Sequence, residues 1–190
     1  RYISVTGVQT CALPIFLLSI YKDGYLNDIL ASNPHEIRHA FESKLRGANA
    51  INQQKYLEIY PSFESSFQIL SNQGLSDIIQ LFQSVDSELL KSNFSAIFDS
   101  ILYRVSKSQG RFGGEFVQPV ELTQLVINLA ALPANATVFN PFAGLASFGV
   151  FLNSEQSYLG QELNYKTWAI GQLRLLAHEK TNASSFFNAD

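Results

Sequence analysis

The fold is decided by one stretch of sequence, Val138-Phe139-Asn140-Pro141-Phe142-Ala143-Gly144-Leu145-Ala146-Ser147-Phe148-Gly149. Residues 137–140 have the composition of a short buried strand, and residues 147–152 have that of a helix. The turn between them is rich in small residues, so a ligand can approach its backbone closely and reach the start of the helix. The stretch therefore predicts a ligand site at the carboxyl end of a strand.

The flanking sequence continues the alternation of strands and helices. Residues 158–163 predict a second strand, residues 165–180 a long helix, and residues 185–187 the start of a third strand. Residues 119–131 predict a strongly amphipathic helix before the first strand. We expect its buried face to carry six apolar residues, which are Val120, Leu122, Leu125, Val126, Leu129 and Ala130. This order of elements is typical of a parallel, doubly wound sheet with right-handed crossovers, so the α/β class is predicted.

The first half of the chain has helical patterning instead. Four segments predict helices, namely residues 33–46, 62–70, 76–82 and 86–105. A polar, glycine-rich segment, residues 106–114, follows them as a flexible joint. We therefore predict a helical N-terminal domain over residues 16–108 and an α/β domain over residues 109–190.

An acidic residue ends the predicted second strand, in the sequence Gly160-Gln161-Glu162. An acid about twenty residues after a small-residue turn is placed to accept hydrogen bonds from the two hydroxyl groups of a ribose. The turn and the acid together indicate a cofactor that contains adenosine. A nicotinamide cofactor is disfavoured because its fingerprint needs three spaced glycines, and Ala146 interrupts that pattern.

Three blocks in this order resemble the N6-adenine DNA methylases of type I restriction systems. That family carries a Phe-x-Thr-Pro element before a helix, an Asp-Pro-x-x-Gly-x-Gly loop and a Gly-x-Glu strand end. The blocks here are Gly113-Gly114-Glu115-Phe116-Val117-Gln118-Pro119, Val138-Phe139-Asn140-Pro141-Phe142-Ala143-Gly144 and Tyr158-Leu159-Gly160-Gln161-Glu162-Leu163-Asn164. The resemblance covers residues 110–190 well, and the helical part only in general character.

The resemblance implies a Rossmann-like methyltransferase domain that uses S-adenosylmethionine (AdoMet). Residues 116–119 would close over the methionine end of the cofactor, and residues 144–147 would pass beneath it. Glu162 would hold the ribose, and Asp190 would face the adenine. The implied cofactor-binding residues are Phe116, Gln118, Pro119, Asn140, Gly144, Leu145, Ala146, Ser147, Glu162 and Asp190.

Three residues depart from the family pattern. Gln118 replaces the threonine of the first element, which keeps a polar group but changes its reach. Asn140 replaces an aspartate and so removes a negative charge near the sulfonium group. Ala146 replaces the second glycine of the loop, and its methyl group would crowd the cofactor unless the turn adjusts.

The resemblance also implies a catalytic loop, Asn/Asp-Pro-Pro-Phe/Tyr, beyond the third or fourth strand. The 190 residues do not contain it, so we expect a C-terminally truncated domain with cofactor-binding residues and no catalytic residue. Residues 5–15 read as the translation of a sequencing-library adapter. We expect residues 1–15 to be an artefact and the native sequence to begin near Phe16. Cys11, the one cysteine, falls there and supports no disulfide, metal or nucleophile assignment.

The function implied by the resemblance is AdoMet-dependent methylation of adenine N6 in DNA within a restriction–modification complex. A specificity subunit is the expected partner, and a nuclease subunit is a further candidate. The net charge of −3 gives no general attraction to DNA, so a local patch or a partner would supply the positive field. Two alternatives stay open. One is a methyltransferase acting on RNA, protein or a small molecule, and the other is a non-catalytic assembly subunit with a degenerate AdoMet fold.

Other patterns point to ordinary structural roles. The sequence His35-Glu36-Ile37-Arg38-His39 matches the H-E-x-x-H zinc-protease pattern, but Pro34 places it in the first turn of a helix, so we predict an exposed helix start and no metal site. Trp168 is expected to pack in the core. No apolar run reaches the roughly 20 residues needed to cross a bilayer, so a cytoplasmic protein without a membrane partner is expected.

Overall fold

The computed structural model describes residue 29, residue 33 and residues 35–46, 61–62, 68, 70–108 and 117–190. Compactness divides the chain into two units, residues 1–97 and residues 98–190. They are called here the first unit and the second unit. The boundary predicted at residues 108 and 109 stays a prediction.

The first unit is helical where it is described. Its helices are α1 (Ile37–Arg46), α2 (Asn72–Gln83), α3 (Ser87–Ser92) and the beginning of α4 (Phe94–Ser108). Helices α1 and α2 pack together, and they bury four apolar side chains, those of Ile37, Phe41, Leu75 and Ile79. The Ser71 hydroxyl accepts the Gly74 N–H at 3.0 Å, which caps α2.

The single helix predicted over residues 86–105 is wrong, because Asn93 divides it into α3 and α4. The Asn93 side-chain amide donates to the Leu89 carbonyl oxygen at 3.0 Å. A short polar side chain that bonds to the backbone in this way satisfies an end carbonyl and ends the helix. Leu89, an apolar residue of this segment, is 57% exposed. Four other apolar residues of this segment are buried, namely Leu90, Phe94, Phe98 and Leu102.

The second unit contains the predicted alternation of helices and strands. After the end of α4 come α5 (Val120–Ala130), β1 (Thr137–Asn140), α6 (Ser147–Phe151), β2 (Ser157–Glu162), α7 (Tyr165–Ala177) and β3 (Ser184–Asn188). The strands are parallel and lie in the order β1-β2-β3. Asn140 pairs with Gly160, and Glu162 pairs with Asn188. The parallel α/β architecture is therefore confirmed.

Aromatic and apolar side chains fill the space between the sheet and α7. The indole N–H of Trp168 donates to the Phe186 carbonyl oxygen at 3.0 Å, and the Gln172 side-chain amide donates to the same oxygen at 2.8 Å. Trp168 is 5% exposed, which confirms the prediction of core packing. These two bonds connect α7 to β3 in addition to the apolar contacts.

The predicted buried face of α5 is wrong. Five of its six predicted residues are large apolar side chains that are exposed: Val120 (37%), Leu122 (48%), Leu125 (52%), Val126 (41%) and Leu129 (75%). The sixth, Ala130, is exposed as well. The buried residue of α5 is Thr123 instead, whose hydroxyl donates to the Pro119 carbonyl oxygen at 3.1 Å. Helix α5 packs against α6, so the position of α6 decides which side of α5 is covered.

Candidate functional site

The β1–α6 loop, residues 140–147, makes a tight turn at the carboxyl end of β1. The Asn140 side-chain oxygen accepts the Phe142 N–H at 3.1 Å, and the Ala146 N–H donates to the Ala143 carbonyl oxygen at 2.9 Å. Gly144 and Ala146 have φ angles of 54° and 55°, in the left-handed region. Glycine adopts this conformation without strain, whereas alanine does so at a cost of about 1–2 kcal/mol.

The Glu162 carboxylate joins this loop to the end of β2. Its Oε2 accepts the Gly144 N–H at 2.9 Å, and its Oε1 accepts the Asn164 N–H at 2.7 Å. The predicted acid and the predicted small-residue turn are therefore in direct contact. Each carboxylate oxygen has two lone-pair directions, so Glu162 keeps the capacity to accept further hydrogen bonds from a ligand.

The carboxyl ends of β2 and β3 are joined in the same way. The Asn188 side-chain amide donates to the Glu162 and Leu163 carbonyl oxygens at 2.8 and 2.9 Å. The Ala189 N–H donates to the Glu162 carbonyl oxygen at 3.2 Å. Asp190 follows directly and is exposed. The structure thus places Asn140, Glu162 and Asp190 at one edge of the sheet.

Ala146 does not turn its methyl group toward solvent. It is 0% exposed, and its neighbours Leu145 and Ser147 are each 5% exposed. The methyl group is therefore enclosed by the protein and does not protrude from the open side of the loop. Alanine in place of glycine at position 146 therefore affects the conformational energy of the turn more than the surface that a ligand could contact.

Gln118 and Pro119 border a pocket of about 370 Å³ in the second unit. Its lining residues are Asp99, Leu102, Tyr103, Val117, Gln118, Pro119, Val120, Glu121 and Arg174. Because Arg174 also contacts the β1–α6 loop, this pocket adjoins that loop. Phe116, the remaining residue of the predicted element, lies outside the described residues.

Sequence reasoning missed Arg174, which at 2% exposure is the most buried charged side chain among the described residues of the second unit. Its Nε and Nη2 donate to the two Asp99 carboxylate oxygens at 2.8 and 3.1 Å. Its Nη1 donates to the Ser147 hydroxyl at 2.9 Å. The one sequence signal was a cation among apolar residues in the predicted helix, since Leu173 and Leu175 flank it. Its partner Asp99 lies 75 residues away and could not be inferred from spacing.

The pKa of Asp99 lies below its ordinary value. Burial alone raises the pKa of this carboxyl, but the hydrogen bonds with His178 and Arg174, together with the charges of those two residues, lower the pKa by more than burial raises it. His178 Nε2 lies 3.2 Å from Asp99 Oδ2. Asp99 therefore stays ionised and balances the buried guanidinium group.

Tyr158 of β2 is buried beside Gly149 of α6. Burial raises the pKa of its phenol well above the ordinary value, the nearby Glu162 charge raises it as well, and the Asn140 side chain opposes the rise. A Cβ atom on Gly149 would approach the Tyr158 ring to 2.6 Å. Glycine at position 149 thus lets α6 pack closely on β2 over a neutral tyrosine.

The zinc-protease pattern lies at an exposed helix start, as predicted. Helix α1 begins at Ile37, and His35 and His39 are both exposed. Within the described ranges no three histidine, cysteine or acidic side chains are grouped so that they could hold a metal ion. Among the helices that the structure describes, none is long and apolar enough to cross a membrane.

Comparisons with known proteins identify the family of this chain. The family described as N-6 DNA Methylase matches residues 90–190, which is more than half of the chain. This region contains the β1–α6 loop, Glu162 and the Arg174–Asp99 pair. No curated protein matches the chain significantly in sequence.

Two solved structures share the fold. One is the methyltransferase subunit of a type I restriction-modification system from Streptococcus thermophilus, with a TM-score of 0.60 and 17% identity over 92% of this chain. The other is described as a modification subunit of a type I restriction enzyme from Vibrio vulnificus, with a TM-score of 0.55 and 16% identity over 80% of this chain. The chain spans 39% and 34% of the lengths of these two proteins.

Proposed function

Since this chain belongs to the N-6 DNA methylase family, we propose that its second unit binds AdoMet for the methylation of adenine N6 in DNA. The family consists of adenine-specific DNA methyltransferases that use this cofactor. Bound AdoMet supplies an electrophilic methyl group on a sulfonium centre. In this proposal the residues of the second unit would bind and orient the cofactor.

One observation carries the proposal, the hydrogen bond between Glu162 Oε2 and the Gly144 N–H at 2.9 Å. This bond places the Glu162 carboxylate, which can accept hydrogen bonds from ribose hydroxyl groups, next to a loop whose backbone a ligand can approach. Asp190 stands at the same sheet edge, where it would face the adenine. The residues present therefore fit an adenosine-containing cofactor.

The methionine end of AdoMet would lie toward Gln118 and Pro119. These residues border the pocket beside the β1–α6 loop, and the resemblance assigns them, with Phe116, to that end of the cofactor. Asn140 lies at the end of β1 and provides a neutral amide where the family has a carboxylate. Leu145, Ala146 and Ser147 would form the floor of the site.

The proposed partners follow from the proteins with the same fold. Both solved relatives are named as subunits of type I restriction systems. We extend this to a modification complex with DNA, a specificity subunit and, as a further candidate, a nuclease subunit. Because the chain has a net charge of −3, the positive field for DNA would come from a partner or from a local patch.

The proposal is tested by isothermal titration calorimetry of the chain with AdoMet and S-adenosylhomocysteine. NAD, which also contains adenosine, is titrated as the comparison cofactor. We expect binding of the first two and none of NAD. Glu162→Ala should weaken AdoMet binding by at least about tenfold, because hydrogen bonds to a charged group contribute about 1.5–3 kcal/mol. Glu155→Ala, at an exposed acid in the turn before β2, is the matched control and should bind like the wild type.

The substrate is tested separately. The gene is extended from source DNA and expressed, and host DNA is analysed for N6-methyladenine. Modified adenine in one sequence context supports the proposal. AdoMet binding without DNA methylation would favour a methyltransferase for RNA, protein or a small molecule. No AdoMet binding by the extended protein would leave an assembly subunit with a degenerate fold.

A further inference from the structure

Both neighbours of Ala146 are held by one side chain from α7. Arg174 Nη1 donates to the Ser147 hydroxyl at 2.9 Å and lies 3.4 Å from the Leu145 carbonyl oxygen. Ala146 itself has a φ angle of 55° and is 0% exposed. The strained residue of the β1–α6 loop therefore lies between two contacts to the same guanidinium group.

The opposite side of that guanidinium group is fixed by Asp99. Nε and Nη2 donate to the two carboxylate oxygens at 2.8 and 3.1 Å, which is a bidentate ion pair. A guanidinium group is planar and carries its five N–H donors in a rigid fork. Fixing two donors on Asp99 therefore also fixes the direction of Nη1 toward the loop. With 2% of its side chain exposed, Arg174 makes these contacts away from water.

We propose that Arg174 is a positioning residue that holds Ala146 in the left-handed conformation which the β1–α6 loop requires. Alanine adopts that conformation only under strain, whereas glycine adopts it freely. The contacts of Arg174 on both sides of Ala146 oppose the relaxation of that strain. The inference rests on the proposed function where it concerns cofactor affinity, but the loop conformation itself is independent of it.

This role makes a specific prediction about coupling. If Arg174 acts on the strain at position 146, its loss should matter less when that residue can take the left-handed conformation freely. If Arg174 only joins α4 to α7 through Asp99, its loss should have the same effect whichever residue occupies position 146. The two roles differ in the coupling between positions 146 and 174.

Hydrogen exchange of the loop amides in the ligand-free 190-residue chain measures this coupling. Four proteins are compared: the wild type, Arg174→Lys, Ala146→Gly and the double variant. Lysine keeps the charge but cannot donate to Asp99 and to the loop in the same fork geometry. We expect Arg174→Lys to speed exchange over residues 143–150 by about tenfold in the wild-type background, and by less than about threefold in the Ala146→Gly background.

Two matched controls isolate the effect. Ala131→Gly relieves a left-handed alanine with φ 44° at the end of α5, outside the contacts of Arg174, so the tenfold effect of Arg174→Lys should persist in that background. Arg104→Lys makes the same chemical change at an exposed position of α4 and should leave loop exchange unchanged. If Arg174→Lys does not fold, Ser147→Ala replaces it, because this variant removes only the 2.9 Å loop contact.

Equal acceleration in the wild-type and Ala146→Gly backgrounds would overturn the proposal, as would unchanged loop exchange in both Arg174→Lys and Ser147→Ala. AdoMet titration of the same proteins is the second readout, and the loss of affinity should show the same dependence on position 146. If the wild type does not bind AdoMet, the proposed function fails, while the exchange data still decide whether Arg174 positions the loop.

Discussion

Glu162 and Gly144 lie eighteen residues apart in sequence, and the Glu162 Oε2 accepts the Gly144 N–H at 2.9 Å. The other oxygen of the same carboxylate accepts the Asn164 N–H at 2.7 Å. One side chain thus ties the loop after β1 to the turn after β2. We therefore expect Glu162, which is proposed to bind the cofactor, also to contribute to the stability of the second unit.

Replacing Glu162 should destabilise the second unit even without a ligand. Glu162→Gln keeps one acceptor oxygen but loses the charge and places an amide donor opposite a backbone N–H, so we expect a loss of about 1–2 kcal/mol in the free energy of unfolding. Urea unfolding followed by Trp168 fluorescence measures this loss. Glu155→Gln should differ from the wild type by less than about 0.5 kcal/mol. Equal stability of Glu162→Gln and the wild type would contradict the proposed tie.

Asp99 should give the protein an acid-sensitive stability. Because its pKa is lower in the folded state than its ordinary value of 3.8, the unfolded state binds more protons at acidic pH. The free energy of unfolding should therefore fall as the pH drops from about 5 through the lowered pKa. Asp99→Asn should show a shallower fall, and at pH 7 it should be less stable by about 3 kcal/mol, because the buried guanidinium group of Arg174 loses its charged partner.

Urea unfolding at several pH values between 3 and 7 compares the two proteins. Glu155→Gln serves again as the exposed-acid control and should follow the wild-type curve. Parallel curves for Asp99→Asn and the wild type would show that Asp99 does not contribute to the acid sensitivity.

Ala131 ends α5 in the left-handed conformation, with φ 44°. It is exposed, so glycine there removes backbone strain without removing a buried contact. We expect Ala131→Gly to stabilise the protein by about 1 kcal/mol. Ala130→Gly, one residue earlier and still in the right-handed helix, should destabilise it by about 0.5–1 kcal/mol. Thermal unfolding of Ala131→Gly and Ala130→Gly tests this prediction. Shifts of the same sign in their melting temperatures would refute the explanation from backbone strain.

Gly171 allows α7 to lie close to β3 and to the β1–α6 loop. A Cβ atom at this position would lie 2.6 Å from Phe186 Cε1 and 3.3 Å from the Gly144 carbonyl oxygen. Gly171→Ala should therefore destabilise the second unit by about 1–3 kcal/mol through overpacking. Gly74→Ala in α2 would meet its nearest atom, the Ser71 hydroxyl oxygen, at 3.3 Å, and it should be tolerated. Denaturant midpoints of the two variants test the difference.

The bounds of the strands in the second unit could be predicted closely from sequence. Two features of the helices could not be predicted: the break at Asn93 and the side of α5 that is covered. The bounds of β1 and of the turn after it are visible because a short run of strand-forming residues is followed directly by small residues. The predicted burial of β1 is wrong, since Phe139 is 55% exposed. The break at Asn93 depends on whether its side chain reaches the Leu89 carbonyl oxygen or water. The covered side of α5 depends on where α6 lies, which the apolar pattern of α5 alone does not specify. The family and the parallel α/β order were confirmed, and the predicted cofactor roles stay predictions.

The sequence by itself determined the carboxyl-end turn of β1, the acid at Glu162 and the family, because these are encoded in short blocks of neighbouring residues. Only the tertiary structure decided that Arg174 would be buried against Asp99, 75 residues earlier, and against both neighbours of Ala146. The physical reason is that a buried charge needs a partner wherever the fold supplies one. Such a partner lies close in space and leaves no periodic trace along the chain.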